Sequence, residues 1–476
     1  MRIWEQFRLQ RKLPVATSSL TMVLVIFILV LSSPPANALP AFARKYGLRC
    51  SACHEAWPML NYFGQKFKDN GYQLMNDRDA PIWQNPSYWP VTFRIIPLWH
   101  RESNNKVAVD TEAQSPGGPI PAERRISSSG FDLSGLDFHT GGTLEKNISF
   151  YVLPSSDATA SFHFETVMGR LDNLFGSPWL NVKLGKFELD NLVSEKRILT
   201  LTAISGVYQT YHFRPQGDGN IFGQIGDNQL GVELMGHSAN DRTRYSAALL
   251  SSSDGQVNLP YGSNAYSGFF TASQAFNVGK WGVDRVGAYA MIGVAPTSYL
   301  TLTTGGTATP IAGSGTGNRP YNREGFVGLF YFGKLDFQVV TQHGWDSAWF
   351  GAGYGDFIGG NAPNNNTPGS VLPPGFRAPS WNGYLVETHY VYSPQLIFIQ
   401  RSEWERMSQQ ADPTVRSDLG NVDMYTLGYR YMPIMTSRAG FAWHNEYSWM
   451  RQRGISPVNS RDVSSSSLLL GFDFDF

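Results

Sequence analysis

The chain has few cysteines, few charged residues and little continuous apolar sequence. Its 476 residues include only two cysteines, Cys50 and Cys53, half the number that a four-cysteine zinc site requires. Charged residues make up 16%, with 38 Lys and Arg against 38 Asp and Glu, so no electrostatic footprint for nucleic acid is expected. No stretch predicts a transmembrane helix, since even Met22–Leu31 is well short of the roughly 20 residues needed.

Residues 1–38 have the pattern of a secretory signal peptide. Small residues at 36–38 follow the apolar run, so cleavage is expected before Leu39, with a membrane anchor as the disfavoured alternative. The segment holds four basic residues and one acidic residue, Glu5, so its removal changes 38 of each sign to 34 basic against 37 acidic. The mature chain is therefore predicted to be mildly acidic.

Directly behind the signal peptide, residues 50–54 read Cys-Ser-Ala-Cys-His, the C-x-x-C-H signature of haem c attachment. The two thiols form thioethers to the haem vinyl groups, and His54 is then the proximal iron ligand. A disulfide redox pair, half of a zinc site and coincidence are alternatives, but none of them requires the histidine. The motif predicts one covalent haem c, bound by Cys50, Cys53 and His54, and makes electron transfer the leading hypothesis.

Residues 39–90 are predicted to form the haem segment. This segment is too short to bury a large hydrophobic core of its own, so it is expected to pack against the haem and against another surface, such as the barrel lumen. Apolar residues from Trp57 to Tyr72 recur at helical spacing, which predicts a helix that covers a haem face and carries Met59. Two residues are candidates for the distal iron ligand, Met75 or His100, and a methionine would raise the reduction potential. Lumen histidines are further candidates: His139, His163, His212 and His444. An open sixth position would instead favour ligand binding or peroxidase chemistry.

The rest of the chain, residues 91–476, predicts a membrane β-barrel. The chain contains 48 Gly, 22 Tyr, 30 Phe and 13 Trp, and its last residues alternate apolar Leu470, Phe472, Phe474 and Phe476 with Asp473 and Asp475. Such a strand contacts lipid on one face and a wet lumen on the other. The edge strand of a soluble sandwich is the alternative.

Segments of the same kind recur along the chain, and the connections between them alternate between short and long. Residues 206–213 look like a strand, but counting them would break this alternation, so 188–226 is predicted to be one long loop. Short turns face the periplasm in bacterial barrels, so both chain ends are expected there. The predicted strands lie near 91–101, 131–144, 148–154, 158–169, 178–187, 227–237, 242–252, 266–278, 283–296, 322–333, 334–345, 381–392, 394–406, 421–432, 436–450 and 464–476.

The front of the barrel resembles the phosphate- and polyphosphate-selective porin family in layout over about 100 residues, from Gly130–Phe150 through Val182–Glu188 to Ser194–Thr200. In that family the loop after the fifth strand folds into the pore. The resemblance implies a constriction lined by Glu195, Lys196, Arg197, His212 and Arg214, with a solvated external loop as the alternative. Anion selectivity does not carry over, because this sequence shows no regular ladder of Lys and Arg at lumen positions.

The whole mature chain resembles the fused cytochrome c–porin family, specifically in Phe42–Tyr72, which reads Ala-Arg-Lys-Tyr-Gly-x-x-Cys-x-x-Cys-His and then Pro-x-Leu-Asn-x-x-Gly. The expected fold is all-β with a small α-helical N-terminal segment: about sixteen antiparallel strands form a transmembrane barrel, and the haem segment plugs or docks the lumen.

The resemblance to the cytochrome c–porin family implies an outer-membrane protein that passes single electrons between a small extracellular donor, ferrous iron in some members, and a soluble periplasmic cytochrome or other carrier. Such a chain is an electron-transfer oxidoreductase, an iron oxidase if its donor is ferrous iron. The alternatives are a solute or anion porin with a haem-containing plug, and an extracellular reductase that works in the opposite direction.

Overall fold

The computed structural model describes residues 40–56, 59–74, 81, 90–110, 121–156, 162–189, 228–251, 266–298, 301–304, 307–310, 317–349, 369–372, 375–436, 439–454 and 461–476. The predicted signal peptide, Met75 and residues 190–227 lie outside these ranges. The predicted constriction residues Glu195, Lys196, Arg197, His212 and Arg214 therefore lie outside them as well.

Sixteen long strands among the described residues pair antiparallel and close into a barrel, as predicted. They are β3 (Val91–Asp110), β4 (Pro121–Glu145), β5 (Ile148–Ser156), β6 (Phe162–Leu171), β7 (Asn181–Glu188), β8 (Asn228–His237), β9 (Thr243–Ser251), β10 (Tyr266–Asn277), β11 (Val283–Ser298), β14 (Gly317–Phe332), β15 (Leu335–Asp346), β18 (Ser380–Ser393), β19 (Leu396–Gln409), β20 (Val422–Met435), β21 (Gly440–Gln452) and β22 (Val463–Asp475). The barrel closes where β22 pairs with β3, which places Asp475 opposite Arg94.

Short elements complete the described structure. The helices are α1 (Pro40–Tyr46), α2 (Cys50–Cys53) and α3 (Tyr62–Asp69), and 3-10 turns span Leu174–Gly176 and Gly279–Trp281. Short strands are β1 (His54–Ala56), β2 (Met59–Leu60), β12 (Thr301–Thr304), β13 (Thr307–Pro310), β16 (Ala348–Trp349) and β17 (Gly369–Val371). Within the described ranges, no helix combines the length and the apolar character needed to cross a bilayer.

Every predicted barrel strand overlaps an observed one, but some bounds were wrong. The clearest case is β4, which begins at Pro121 rather than near 131, because Pro121–Gly130 continues to pair with β3. This stretch is polar and has no apolar alternation to mark it in the sequence. Backbone pairing to a long neighbour, rather than side-chain pattern, extends the strand.

The barrel has an apolar outside and a polar inside, as the alternation predicted. On β22, Phe472 and Phe474 are exposed, whereas Asp473 and Asp475 are buried. The same holds on β21 and across the wall, where exposed apolar side chains include Leu427, Leu249, Phe270, Phe326 and Tyr447. An outer face of exposed apolar side chains is stable in contact with lipid rather than with water, so the outer wall is a lipid-contacting surface.

Ion pairs line the buried inner face of the wall. The pairs are Arg94–Asp473 (2.7 Å), Lys183–Glu233 (2.5 Å), Arg323–Asp346 (2.8 Å) and Arg401–Glu403 (2.6 Å). Each cation has a carboxylate at contact distance, which offsets the cost of removing the charges from water.

One end of the barrel carries short connections, such as Phe332 to Leu335 and Ser393 to Leu396. The first residue of β3, Val91, and the last residues of β22 lie at this same end, where Phe93 and Phe476 exchange backbone hydrogen bonds. We call it the short-turn end. The predicted alternation of short and long connections is confirmed for the hairpins that follow β8.

Candidate functional site

Residues 40–56 and 59–74 form a compact unit, which we call the plug. Its core is a cluster of aromatic rings: Phe42 stacks on Tyr72 with centroids 4.8 Å apart, and Phe67 meets Phe42 and Tyr46 edge-on. The Tyr46 hydroxyl donates to the Tyr72 carbonyl at 2.9 Å, which ties the first helix to the end of the segment. Aromatic pairs in these geometries add about 0.5–1.5 kcal/mol each beyond their burial.

Helix α1 attaches the plug to β3 and β4 inside the short-turn end. The backbone N–H of Ala41 donates to Thr92 Oγ1 at 3.2 Å, and the Arg44 guanidinium donates to the Val91 carbonyl at 2.6 Å. Lys45 Nζ donates to Thr143 Oγ1 at 3.0 Å. These contacts fix the start of the plug at the mouth of the lumen.

Helix α3 is held by charged side chains of the neighbouring wall. Lys68 Nζ lies 2.6 Å from Glu188 Oε2, and Arg170 donates to the backbone carbonyls of Lys68 and Asp69. The carboxylate of Asp69 forms an ion pair with Arg244 on β9. Both partners of this last pair are buried, and Arg244 forms a second ion pair with Asp241, so losing Arg244 would leave two buried carboxylates without it.

The plug also reaches the opposite side of the barrel. Met59, in the β1–β2 hairpin, packs in a buried cluster with Ile397, Ile399, Met432 and Ala442 of β19, β20 and β21. The described plug therefore packs in buried clusters with wall strands on both sides of the lumen, and it spans the lumen at the short-turn end.

The C-x-x-C-H residues lie within this plug. Cys50–Cys53 forms a single helical turn, and His54 begins β1, where it is the register partner of Leu60. Positions three apart in a helical turn share one face, so the backbone presents both cysteine positions to the same side. Cys53 and His54 are half-buried. A haem c at this turn would be held by Cys50, Cys53 and His54.

Asn61 and Gly64 hold helix α3 against the turn of the motif. Asn61 Nδ2 donates to the carbonyls of Ser51 and Ala52 at 3.3 and 3.1 Å, while its Oδ1 accepts from the Gly64 N–H at 2.9 Å and so caps the helix. A Cβ on Gly64 would overlap the Cys53 carbonyl oxygen and lie 2.8 Å from its carbon. Only glycine permits this approach of the two backbones.

Changing Gly64 to alanine should displace the motif and lower the haem content of the purified protein several-fold, because neither backbone can yield without breaking the cap. Haem content per polypeptide, from the pyridine haemochrome spectrum, measures this. Gly130→Ala is the matched control, since a Cβ there meets no atom within 4 Å. Equal haem content in both variants would contradict the role assigned to Gly64.

The helix predicted from Trp57 to Tyr72 was wrong in extent. Helix α3 begins at Tyr62, and Met59 lies in a strand rather than on a helix with His54. Asn61 is the reason, because its side chain starts the helix and ties it to the preceding turn. Phe67 and Tyr72 pack into the aromatic core of the plug, and the expectation that this segment covers a haem face stays a prediction.

The candidate distal ligands are not brought to the motif by the described contacts. Met75 lies outside the described residues and stays a prediction. His100 lies on β3, where its Nδ1 is 3.3 Å from Glu102 Oε1. Since Thr92, Ile96 and Leu98 alternate inward on this strand, His100 shares their lumen face, beyond the point at which α1 contacts β3.

The other predicted lumen histidines have different surroundings. His139 Nδ1 lies 2.6 Å from the Tyr151 hydroxyl, and Tyr151 stacks on Tyr72 of the plug with centroids 5.7 Å apart. His444 is buried with its Nε2 3.9 Å from Asp473 Oδ2. His163 is exposed, and His212 lies outside the described residues.

A cavity that is open on one side lies between the plug and the wall strands β9, β11, β14 and β15. Its plug side consists of Met59, Leu60, Asn61, Tyr62 and Gln65, and its wall side of Arg244, Val283, Arg285, Leu329, Tyr331 and Gln338. Because Leu60 pairs with His54, the cavity begins next to the C-x-x-C-H turn.

Two tyrosines of the plug have raised pKa values. Burial raises the pKa of the Tyr72 hydroxyl well above its usual range, and nearby Tyr151 raises it further. Partial burial also raises the pKa of Tyr62, with a second contribution from the Asp241 carboxylate. Both side chains therefore remain neutral phenols at physiological pH.

Asn61 and Gly64 were visible in the sequence only as part of the family resemblance. The wall residues Arg170, Glu188 and Arg244 were not predicted to contact the plug. Inward-facing charges on strands were visible as alternation, but nothing in the sequence showed which of them meets the plug. Their partners Lys68 and Asp69 lie more than 100 residues away along the chain.

No family model and no curated protein matches the sequence. Among solved structures, the chain is similar to an anion-selective porin from Comamonas acidovorans, with 12% identity over 81% of this chain and 99% of that one and a TM-score of 0.46. It is also similar to in-vitro folded OmpT, an outer membrane protein of Vibrio cholerae, in its trimer form (10% identity, 81% and 99% covered, TM-score 0.43). A third is the outer membrane channel DcaP of Acinetobacter baumannii (9%, 80% and 97%, TM-score 0.40). With TM-scores below 0.5 these likenesses carry no argument, and the porin-like barrel of this chain rests on its own strand pairing.

Proposed function

We propose that this chain is an outer-membrane electron-transfer protein with a single haem c bound to Cys50, Cys53 and His54. One observation carries the proposal: the C-x-x-C-H turn belongs to a plug that is bonded to the inner wall of a closed, lipid-facing barrel. A redox group attached there is held inside the mouth of a transmembrane structure.

The residues of the plug have separate tasks in this proposal. The two thiols attach the cofactor, His54 supplies the proximal ligand, and the haem supplies one-electron redox chemistry when bound. Asn61 and Gly64 hold the turn, while the ion pairs of Lys68 and Asp69 hold the plug against the wall. No nucleophile or proton relay is needed, so the chain is an electron carrier rather than a substrate-converting enzyme.

The short-turn end faces the periplasm in this proposal, and both ends of the barrel sequence lie there. Bacterial barrels have short periplasmic turns and longer extracellular loops. A soluble periplasmic cytochrome or another carrier then exchanges electrons with the haem at that mouth. A small extracellular donor reaches it from the long-loop side, and the cytochrome c–porin resemblance suggests ferrous iron.

Stopped-flow spectroscopy tests this function on the purified holoprotein. Covalent haem is measured first, as a haemochrome signal that survives denaturation and acid–acetone extraction. Ferrous ions are then expected to reduce the haem in a single exponential phase at excess donor. Absence of covalent haem would overturn the proposal as a whole. A haem that ferrous ions cannot reduce would overturn the iron version alone, and reduction by a periplasmic carrier would favour the extracellular reductase.

A solute porin with a haem-containing plug is the second candidate, favoured by the closed barrel and its polar inner face. We expect the wild-type protein to conduct little in a planar bilayer, because the plug contacts the wall on both sides of the lumen. Steady open-channel current from the haem-loaded wild-type protein would support the porin instead.

Releasing the plug should open the channel. A Lys68→Ala, Asp69→Asn double variant loses the pairs with Glu188 and Arg244, so unitary current steps should become several-fold more frequent than in the wild type. Asp412→Asn is the control, since Asp412 is a partly exposed loop residue whose described hydrogen bonds are with Thr414, two residues away. Equal conductance in the two variants would show that these pairs do not hold the lumen closed.

A further inference from the structure

Arg285, on the cavity wall, is a buried cation without a carboxylate at contact distance. It is 5% exposed, and its guanidinium donates only to neutral oxygens: the carbonyls of Arg242 and Asp241, at 3.2 and 2.7 Å, and Ser273 Oγ at 3.0 Å. No described carboxylate forms an ion pair with it, in contrast to Arg94, Arg244 and Arg323 of the same inner wall.

Burying a guanidinium whose hydrogen bonds all go to neutral oxygens is costly, because the charge loses its hydration. Asp241 and Asp69 attract Arg285 from beyond contact distance, but they share this attraction with a second cation. Arg244 is itself a cation, and the carboxylates of Asp241 and Asp69 are already bonded to it. An anionic group entering the cavity would compensate Arg285 directly.

The rest of the cavity lining could contact an apolar molecule that carries an acidic edge. Met59, Leu60, Val283 and Leu329 provide apolar lining, and Arg285, Gln338 and Tyr331 provide polar groups. The cavity also adjoins the motif, because Leu60 pairs with His54 and Asn61 donates to carbonyls of the Cys50–Cys53 turn. A haem attached through its vinyl groups has its two propionates at another edge, away from the thioethers.

We propose that this cavity receives the propionate edge of the haem carried by the C-x-x-C-H turn, and that Arg285 binds a propionate carboxylate. This inference rests on the proposed function and extends it, because it makes the barrel wall part of the cofactor site. The plug attaches the haem through its vinyl groups, and β11 holds the opposite edge. A free oxyanion such as phosphate would bind Arg285 through the same ion pair. Its effect on thermal stability distinguishes it from a haem propionate.

The test compares Arg285→Gln and Arg285→Lys with the wild-type holoprotein. Reduction adds one negative charge to the haem, so loss of a nearby cation should lower the midpoint potential. The propionate bending modes in the resonance Raman spectrum should shift in Arg285→Gln. Arg285→Lys keeps the charge and should recover most of the potential. Arg242→Gln is the matched control: it also removes one positive charge, but from an exposed turn residue that does not line the cavity, and both readouts should stay at wild-type values.

Unchanged potential and Raman modes in folded, haem-loaded Arg285→Gln would overturn the inference and leave the proposed function intact. The inference would also be overturned if inorganic phosphate raised the thermal stability of the wild type but not that of Arg285→Gln, because the ligand would then be a free anion. If Arg285→Gln does not fold, Val283→Trp fills the cavity and leaves Arg285 in place. This variant should alter the Soret circular dichroism, and an unchanged spectrum would equally overturn the inference. A wild-type protein without covalent haem would overturn both proposals.

Discussion

A chain in which Cys50 and Cys53 are both changed to alanine is expected to fold as a barrel that contains no covalent haem and transfers no electrons. The thioether bonds require both thiols, and the sequence contains no other cysteine to replace them. The barrel should persist because its strand pairing does not involve these residues. Acid–acetone extraction followed by a haem stain measures the loss, and heat-modifiable mobility in gel electrophoresis reports the folded barrel.

Ser51→Ala, in the same helical turn, is the matched control and should retain full haem content. Ser51 is exposed, and the described contacts of its backbone carbonyl do not depend on its hydroxyl. Wild-type levels of bound haem in the double cysteine variant would contradict the haem assignment. Loss of haem in Ser51→Ala would show that the turn tolerates no substitution, and the cysteines would then have no special role.

The second large effect is expected at His389, inside the wall. This side chain is fully buried, with Nδ1 2.6 Å from Asp336 Oδ1 and Nε2 2.7 Å from Glu387 Oε1. Both ring nitrogens donate to carboxylates, which only the imidazolium can do. His389→Gln removes the positive charge between two buried carboxylates and should lower the free energy of unfolding by about 3–5 kcal/mol. Urea unfolding of the barrel in detergent measures this loss.

Two further variants separate the charge effect from the loss of a ring. His163→Gln changes an exposed histidine and should alter the free energy of unfolding by less than about 0.5 kcal/mol. Adding Asp336→Asn and Glu387→Gln to His389→Gln removes the two carboxylate charges and should restore part of the lost stability. If the triple variant were less stable than the single one, packing rather than charge would explain the effect.

The wall was predictable because a strand has a period of two and lipid demands an apolar outer face. Trp443 and Tyr447 point outward and His444 and Glu446 inward, as their alternation indicated. The polar stretch Pro121–Gly130 shows the limit of this reasoning, since its pairing is decided by the backbone of β3 and leaves no pattern in the side chains.

The plug was less predictable than the wall. Apolar residues from Trp57 to Tyr72 suggested one helix, but the cap at Asn61 and the close approach at Gly64 are contacts between segments, which periodicity does not encode. The pairing of Asp69 with Arg244 joins residues 175 positions apart, and the closeness of the two side chains follows from barrel closure.

The sequence by itself determined the number of long strands and the face that each strand turns to lipid, and it predicted haem attachment at Cys50, Cys53 and His54. These are local properties, set by the spacing of a few residues or by the alternation along one strand. Only the tertiary structure decided that the motif belongs to a plug held in the short-turn end, and that β11 places Arg285 across a cavity from β2 and the start of α3. Those contacts depend on how sixteen strands close, which is a property of the whole wall.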